Sequence, residues 1–211
     1  MRKTIALLLA LIGVVLLVAT SAGTAAPGKT VTIKAARPVV VYGASVTLSG
    51  KVSSPQSGQK VDVLAEPFGS TSLSTMATVD TTAGGQWTFM AKPTIQTTYE
   101  AQWKGQTSTT VDVKVRPAIK LALVSISGGV GRFSTTVTAA RAFEGKWVLV
   151  QRLTSASATT LKKKVTLDSS STATFSVRLH DGRSRLRVVM PTSQTEPGYI
   201  TGFSNVLTVT R

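Results

Sequence analysis

The sequence predicts an all-β protein: two tandem immunoglobulin-like β-sandwich domains that follow an N-terminal signal peptide. Three observations carry this. From residue 31 onward, short runs alternate apolar residues with Thr, Ser or charge, and Gly, Pro or Ser clusters separate them at the roughly 8–12-residue spacing of all-β domains. After the N-terminal segment no window carries the 3.6-residue period of an amphipathic helix. The apolar landmarks also recur at an offset of about one small domain. Gly58-Gln59-Lys60-Val61-Asp62-Val63, Trp87-Thr88-Phe89, Tyr99-Glu100-Ala101-Gln102-Trp103 and Ser108-Thr109-Thr110-Val111-Asp112-Val113 form the first copy. Gly145-Lys146-Trp147-Val148-Leu149-Val150, Phe175-Ser176-Val177, Leu186-Arg187-Val188-Val189-Met190 and Ser204-Asn205-Val206-Leu207-Thr208-Val209 answer them.

In chain order, Arg2 and Lys3 precede an apolar run over 5–19, and small residues follow from Thr20 to Ala26. This is the layout of a secretory signal peptide, assigned here to 1–25. The run is shorter than the roughly 20 residues that cross a bilayer. If retained rather than cleaved, the segment is the chain's one route to membrane contact. A short segment, 26–30, leads into the first domain, 31–117. There Ser45 to Val52 alternates, Pro55-Gln56-Ser57-Gly58 turns, and Lys60 to Ala65 forms the next strand. Ala83-Gly84-Gly85 turns tightly into Gln86 to Met90, where Trp87 and Phe89 share the core face. Thr98 to Trp103 puts Tyr99, Ala101 and Trp103 on one face, and Val111, Val113 and Val115 line the closing strand. About seven strands over roughly 85 residues is the count and spacing of an immunoglobulin-like sandwich.

Arg116-Pro117-Ala118 marks the junction with the second domain, 118–211. So short a joint predicts a semi-rigid pair, because a mobile tether is longer and richer in Gly and Ser. There is no cysteine among the 211 residues, so disulfides, zinc-thiolate sites and thiol nucleophiles are excluded and each sandwich is held by burial alone. Export without disulfides suits a bacterial envelope.

Three stretches carry a family resemblance: Tyr42-Gly43-Ala44-Ser45-Val46-Thr47-Leu48-Ser49-Gly50, Ala83-Gly84-Gly85-Gln86-Trp87-Thr88-Phe89, and Thr97 to Gly105. Together they resemble the bacterial Ig-like (Big-type) repeat domains of secreted actinobacterial cell-surface proteins. The likeness covers the first domain well and the second weakly, where Ser169-Ser170-Ser171 replaces Ala83-Gly84-Gly85 and Leu186 and Met190 replace Tyr99 and Trp103. It implies extracellular placement and an adhesion, spacer or accessory-binding role, and it supplies no site residue.

Charge supplies the first candidate surface. The chain carries 24 Lys and Arg against 9 Asp and Glu, a formal net charge of +15. The first domain holds eight bases and five acids, the second thirteen and four, or +3 against +9. Arg183, Arg185 and Arg187 alternate with Ser184, Leu186 and Val188, so a strand sends all three guanidinium groups to one solvent face, about 7 Å apart. Arg178 and His180 alternate likewise with Val177 and Leu179, while Lys162 and Lys164 flank a Lys163 that faces inward or sits at a strand start. The usual sandwich order puts the Arg183–Arg187 strand at the centre of one sheet, and both the Lys162–Lys164 and Arg178 strands in the other. Forked Arg donors suit phosphate and carboxylate groups, so anionic cell-envelope polymers are the expected partners. A merely solubilising basic face, on a spacer or on a module that binds a surface protein, is the competing reading.

The second candidate is the extended loop 191–203, replacing a four-residue turn in the first domain, with Tyr199, Ile200 and Phe203 as an apolar recognition tip. A loop folded over the core or packed against the first domain is the competing reading, and the residues favour it slightly. Tyr199 and Phe203 are also the aromatics free to stack on a sugar, the basis of a third, carbohydrate-binding reading. Catalysis has little material: His180 is the single histidine and no Gly-x-Ser-x-Gly elbow occurs. No metal or cofactor site is expected. Nucleic acid is not an expected partner, since the aromatics that would stack on bases sit at core positions.

Overall fold

The computed structural model describes residues 28–211; the signal peptide expected at 1–25 lies outside the described residues. The first sandwich comprises β1 (Lys34–Ala35), β2 (Val39–Val41), β3 (Val46–Lys51), β4 (Lys60–Pro67), β5 (Ser74–Asp80), β6 (Gln86–Ala91), β7 (Thr97–Trp103), β8 (Gln106–Thr107) and β9 (Val111–Arg116). One sheet has the order β1-β3-β6 and the other β2-β9-β7-β4-β5, with the short β8 on β7. The N-terminal strand is divided between them: β1 pairs antiparallel with β3, whereas β2 runs parallel to β9. Pro38 stands at the division, where its missing N–H cannot continue a ladder, and its carbonyl accepts from the Lys114 N–H at 2.9 Å.

Alternation sets what each strand contributes to the space between the sheets. Val46, Leu48 and Trp87 come from one sheet, and Val61, Val63, Tyr99, Ala101, Trp103, Val113 and Val115 from the other, all buried. Phe89 shares the face of Trp87 but is only half-buried, at the margin of this core. In the β3–β6 register Gly50 stands opposite Trp87. A Cβ at Gly50 would lie 1.8 Å from the Thr32 carbonyl oxygen and 2.7 Å from Trp87 Nε1, so glycine lets the indole and the first strand close over the sheet. Gly50→Ala is therefore expected to lower stability by about 1–3 kcal/mol, the usual cost of overpacking, read from a denaturant titration. An unchanged midpoint would contradict this packing.

Arg116 closes β9, and Pro117 separates it from the second sandwich: β10 (Ala118–Ser127), β11 (Val130–Thr138), β12 (Trp147–Leu153), β13 (Ala158–Thr166), β14 (Thr172–Arg178), β15 (Arg183–Met190), β16 (Gly202–Phe203) and β17 (Leu207–Thr210). Its sheets are β10-β11-β14 and β13-β12-β15-β16, with β17 also on β15. Val148, Val150, Leu186, Val188 and Met190 face Leu121, Phe133, Phe175 and Val177 across the core, where Phe133 and Phe175 stack at 5.7 Å. The molecule is thus all-β, two immunoglobulin-like sandwiches in tandem. One short helix, α1 (Thr192–Thr195), interrupts the connection from β15 to β16. A single turn is too short to carry a hydrophobic period, so alternation gave no sign of it.

The sheet expected for the lysines is corrected. Lys162, Lys163 and Lys164 lie in the middle of β13, which joins β12 and hence the same sheet as Arg183–Arg187; only Arg178, on β14, belongs to the opposite sheet. Lys163 does not face inward either, because all three lysines are exposed. Two register shifts in the β12–β13 pairing, on either side of Val150, break the strict alternation that the sequence reading applied.

Candidate functional site

β15 lies inside its sheet, paired with β12 on one side and with β16 and β17 on the other. Ser184, Leu186 and Val188 are buried while Arg183 and Arg185 are exposed and Arg187 half-exposed, so the three guanidinium groups share the outer face. Cross-strand partners fix what surrounds them: Thr210 and Thr208 beside Arg183 and Arg185, Leu153 beside Arg185, and Gln151 beside Arg187. Arg187 Nε donates to Gln151 Oε1 at 2.9 Å. The ion pairs among the described residues are Lys60–Asp80 and Arg211–Asp181, so no carboxylate neutralises this ladder.

At its Val189 end the ladder runs into aromatic surface. Val189 pairs with Phe203, a residue that is 42% exposed. The guanidinium groups of Arg187 and of Arg116, from the first sandwich, each lie 5.1 Å from that ring's centroid. Farther along the same sheet, Lys164 Nζ stands 5.9 Å from the ring of Trp147. Arg116 and Trp147 are two members of this face that charge alternation did not reveal. Arg116 sits in another domain's last strand, and Trp147 counted as an apolar landmark.

The 191–203 loop is not a free recognition tip. It fills the joint between the sandwiches, as the reading of a loop packed against the first domain expects, and this removes Tyr199 and, in part, Ile200 from the recognition candidates. Tyr199 is 2% exposed. Its hydroxyl donates to the Thr94 carbonyl at 2.8 Å and accepts from the Ala140 N–H at 3.1 Å, tying the two sandwiches together. Its ring meets Phe143 edge-on at 5.9 Å, with the Arg141 guanidinium 5.8 Å away. Burial pushes its phenol pKa up from the ordinary value, against the opposing pull of the Ala140 N–H. Ile200 is half-buried and its N–H donates to the Val115 carbonyl at 3.0 Å. Arg116 donates to the Thr201 carbonyl, and Gln96 N–H to the Gly198 carbonyl at 3.0 Å. Gly198 has φ +83°, and a Cβ there would come 2.5 Å from Ile95 Cδ1. The loop therefore fastens the joint with hydrogen bonds, as a proline-marked junction without a flexible tether requires. Phe203 alone of the three apolar loop candidates stays substantially open to solvent.

Arg178 and Lys162 come together in a different place. With Arg152, Leu161, Ser176, Val177 and His180 they line a surface cleft of about 240 Å³ between β13 and β14. The turn joining these strands is shaped by Asp168, whose carboxylate accepts from the Ser170 and Thr172 N–H groups, both at 2.9 Å, and from the Thr172 hydroxyl at 2.7 Å. The Thr172 hydroxyl, then the two N–H groups, hold the Asp168 carboxyl below its usual range. That negative charge is used locally in the turn.

No family model matches the chain, and no curated protein matches it. Among solved structures it is similar to the chicken interferon gamma receptor alpha chain, crystallised as the selenomethionine-substituted protein, at 12% identity and a TM-score of 0.46 over 86% of this chain and 95% of that one. The likeness is too low to carry an argument about function, which rests on the faces just described.

Proposed function

We propose that this is a secreted, non-enzymatic binding module of a bacterial cell surface, akin to Big-type repeats, whose basic second domain contacts anionic envelope polymers. The observation that carries the reading is the unpaired ladder of Arg183, Arg185 and Arg187 on a rigid interior strand, in the same sheet as Lys162 and Lys164. An interior strand fixes the spacing of its side chains, so a polymer with regularly repeated charges meets donors already in place, with less ordering cost than mobile surface lysines would impose. Gln151 and Phe203 further restrict Arg187.

The summed field of the +9 domain favours encounter with any polyanion. The ladder and the cleft beside His180 give that field local geometry. A sugar-stacking role has lost one of its two aromatics, because Tyr199 is enclosed, although Phe203 and Trp147 remain on the basic face.

Changing Arg183, Arg185 and Arg187 together to Ser tests the reading. A basic residue near an anionic surface contributes about 1 kcal/mol, so the triple variant should bind a polyanion such as poly-glycerol-phosphate on the order of 100-fold more weakly. It should also show a shallower salt dependence, with an unchanged melting temperature. Equal binding by the two proteins would favour a spacer or a protein-partner module, in which the ladder serves solubility.

A further inference from the structure

We infer that the cleft between β13 and β14 is a discrete site for a phosphate group, with Arg152 as its anchor. This rests on the polyanion reading above and adds where a single phosphate of such a polymer is held. β13 pairs only with β12 and β14 only with β11, so the two edge strands leave a slot between the sheets. Its basic residues come from both walls: Arg152 and Lys162 from one sheet, Arg178 from the other, and His180 just beyond it. None of the residues lining it is acidic. The carboxylate next in sequence, Asp181, is taken up by Arg211 at 3.1 Å.

Arg152 is the unusual member. Gln151 and Leu153 on either side pair with the outward Arg187 and Arg185, whereas Arg152 pairs with Leu186, which is fully buried. The pleat therefore directs a guanidinium toward the core side of the sheet, where an unpaired charge is costly. One of its nitrogens reaches the Arg178 carbonyl at 3.4 Å, while its Nε is enclosed with no hydrogen-bond partner. Nε itself is closed to a ligand, so an oxyanion in the cleft, which Arg152 lines, would meet the other guanidinium nitrogens, whose one acceptor is that long contact to the Arg178 carbonyl. A planar carboxylate is satisfied by one Arg fork, but a tetrahedral phosphate takes donors from several directions, as two facing walls provide.

The test is a titration of the purified chain with inorganic phosphate and with short glycerol-phosphate oligomers, followed by calorimetry and by the arginine side-chain N–H resonances. Saturable binding that moves the Arg152 resonance is expected. Arg152→Met should weaken it by about tenfold or more, the scale of one charge-assisted hydrogen bond. Because Arg152 is half-buried, Lys162→Ser with Arg178→Ser, both at exposed positions, provides a second reading with a loss of similar size. Lys34→Ser with Lys51→Ser, at exposed positions of the first sandwich, should leave the affinity for inorganic phosphate within about twofold. Non-saturable binding, or binding that survives both cleft variants, would overturn the site while leaving polymer binding through the ladder intact. Saturable binding of inorganic phosphate in the cleft with no binding of the oligomers would instead overturn the polymer as its source.

Discussion

Trp87→Ala is expected to cost the first sandwich about 3–5 kcal/mol, the range for removing a large aromatic from a packed core. The indole is 1% exposed and is enclosed by the β3–β6 sheet on one side and the β4–β7–β9 sheet on the other. Its Nε1 has no hydrogen-bond partner, so what is lost is apolar burial and the cavity left behind. Relaxation is restricted, because Gly50 and the Thr32 carbonyl already press against this site from the edge. Urea unfolding of the wild-type and variant proteins measures the difference. A variant that unfolds at the wild-type midpoint would remove Trp87 from the core.

The second large effect is expected at the joint. Tyr199→Ala removes a ring packed against Phe143 and frees both the Thr94 carbonyl and the Ala140 N–H. A loss of about 3–5 kcal/mol follows from the buried ring. Tyr199→Phe keeps the ring and deletes the bridge; Thr94 and Ala140 are themselves exposed, so the freed carbonyl and N–H turn to solvent and the loss is about 0.5–1.5 kcal/mol. The two substitutions thus separate packing from the hydrogen bonds that span the sandwiches. Small-angle scattering of Tyr199→Ala should report a broader distribution of domain arrangements than wild type. An unchanged profile with unchanged stability would mean that the loop does not hold the joint.

These effects fall at sites of unequal visibility in the sequence. Trp87, Tyr99 and Trp103 were legible because a strand alternates strictly and each sits on the apolar phase of its run. The break between β9 and β10 at Pro117 was legible because proline ends a ladder. The same rule located the Arg183–Arg187 face, since Ser184, Leu186 and Val188 define the inner phase without ambiguity. It failed for Lys162–Lys164, where the shifts around Val150 release β13 from that phase and where sheet membership depends on pairings distant in sequence. Arg152 was hidden for a related reason. An arginine is assigned outward by its chemistry, and only its pairing with Leu186 shows that the backbone turns it inward. The sequence leaves Tyr199 open between a free tip and a packed residue, because exposure of a loop residue depends on what packs over it. Here that is another domain, which no local pattern encodes.

Co-sedimentation of the chain with cell envelopes from the organism that makes it, across a salt series and beside the Arg183/Arg185/Arg187 triple Ser variant, tests the basic contact face. Binding should weaken steeply as salt screens the exposed charges, and fall by roughly two orders of magnitude in the variant. Binding indifferent to both salt and the substitutions, or no binding at all, would contradict a basic contact face and leave a spacer or a protein-partner module as the function.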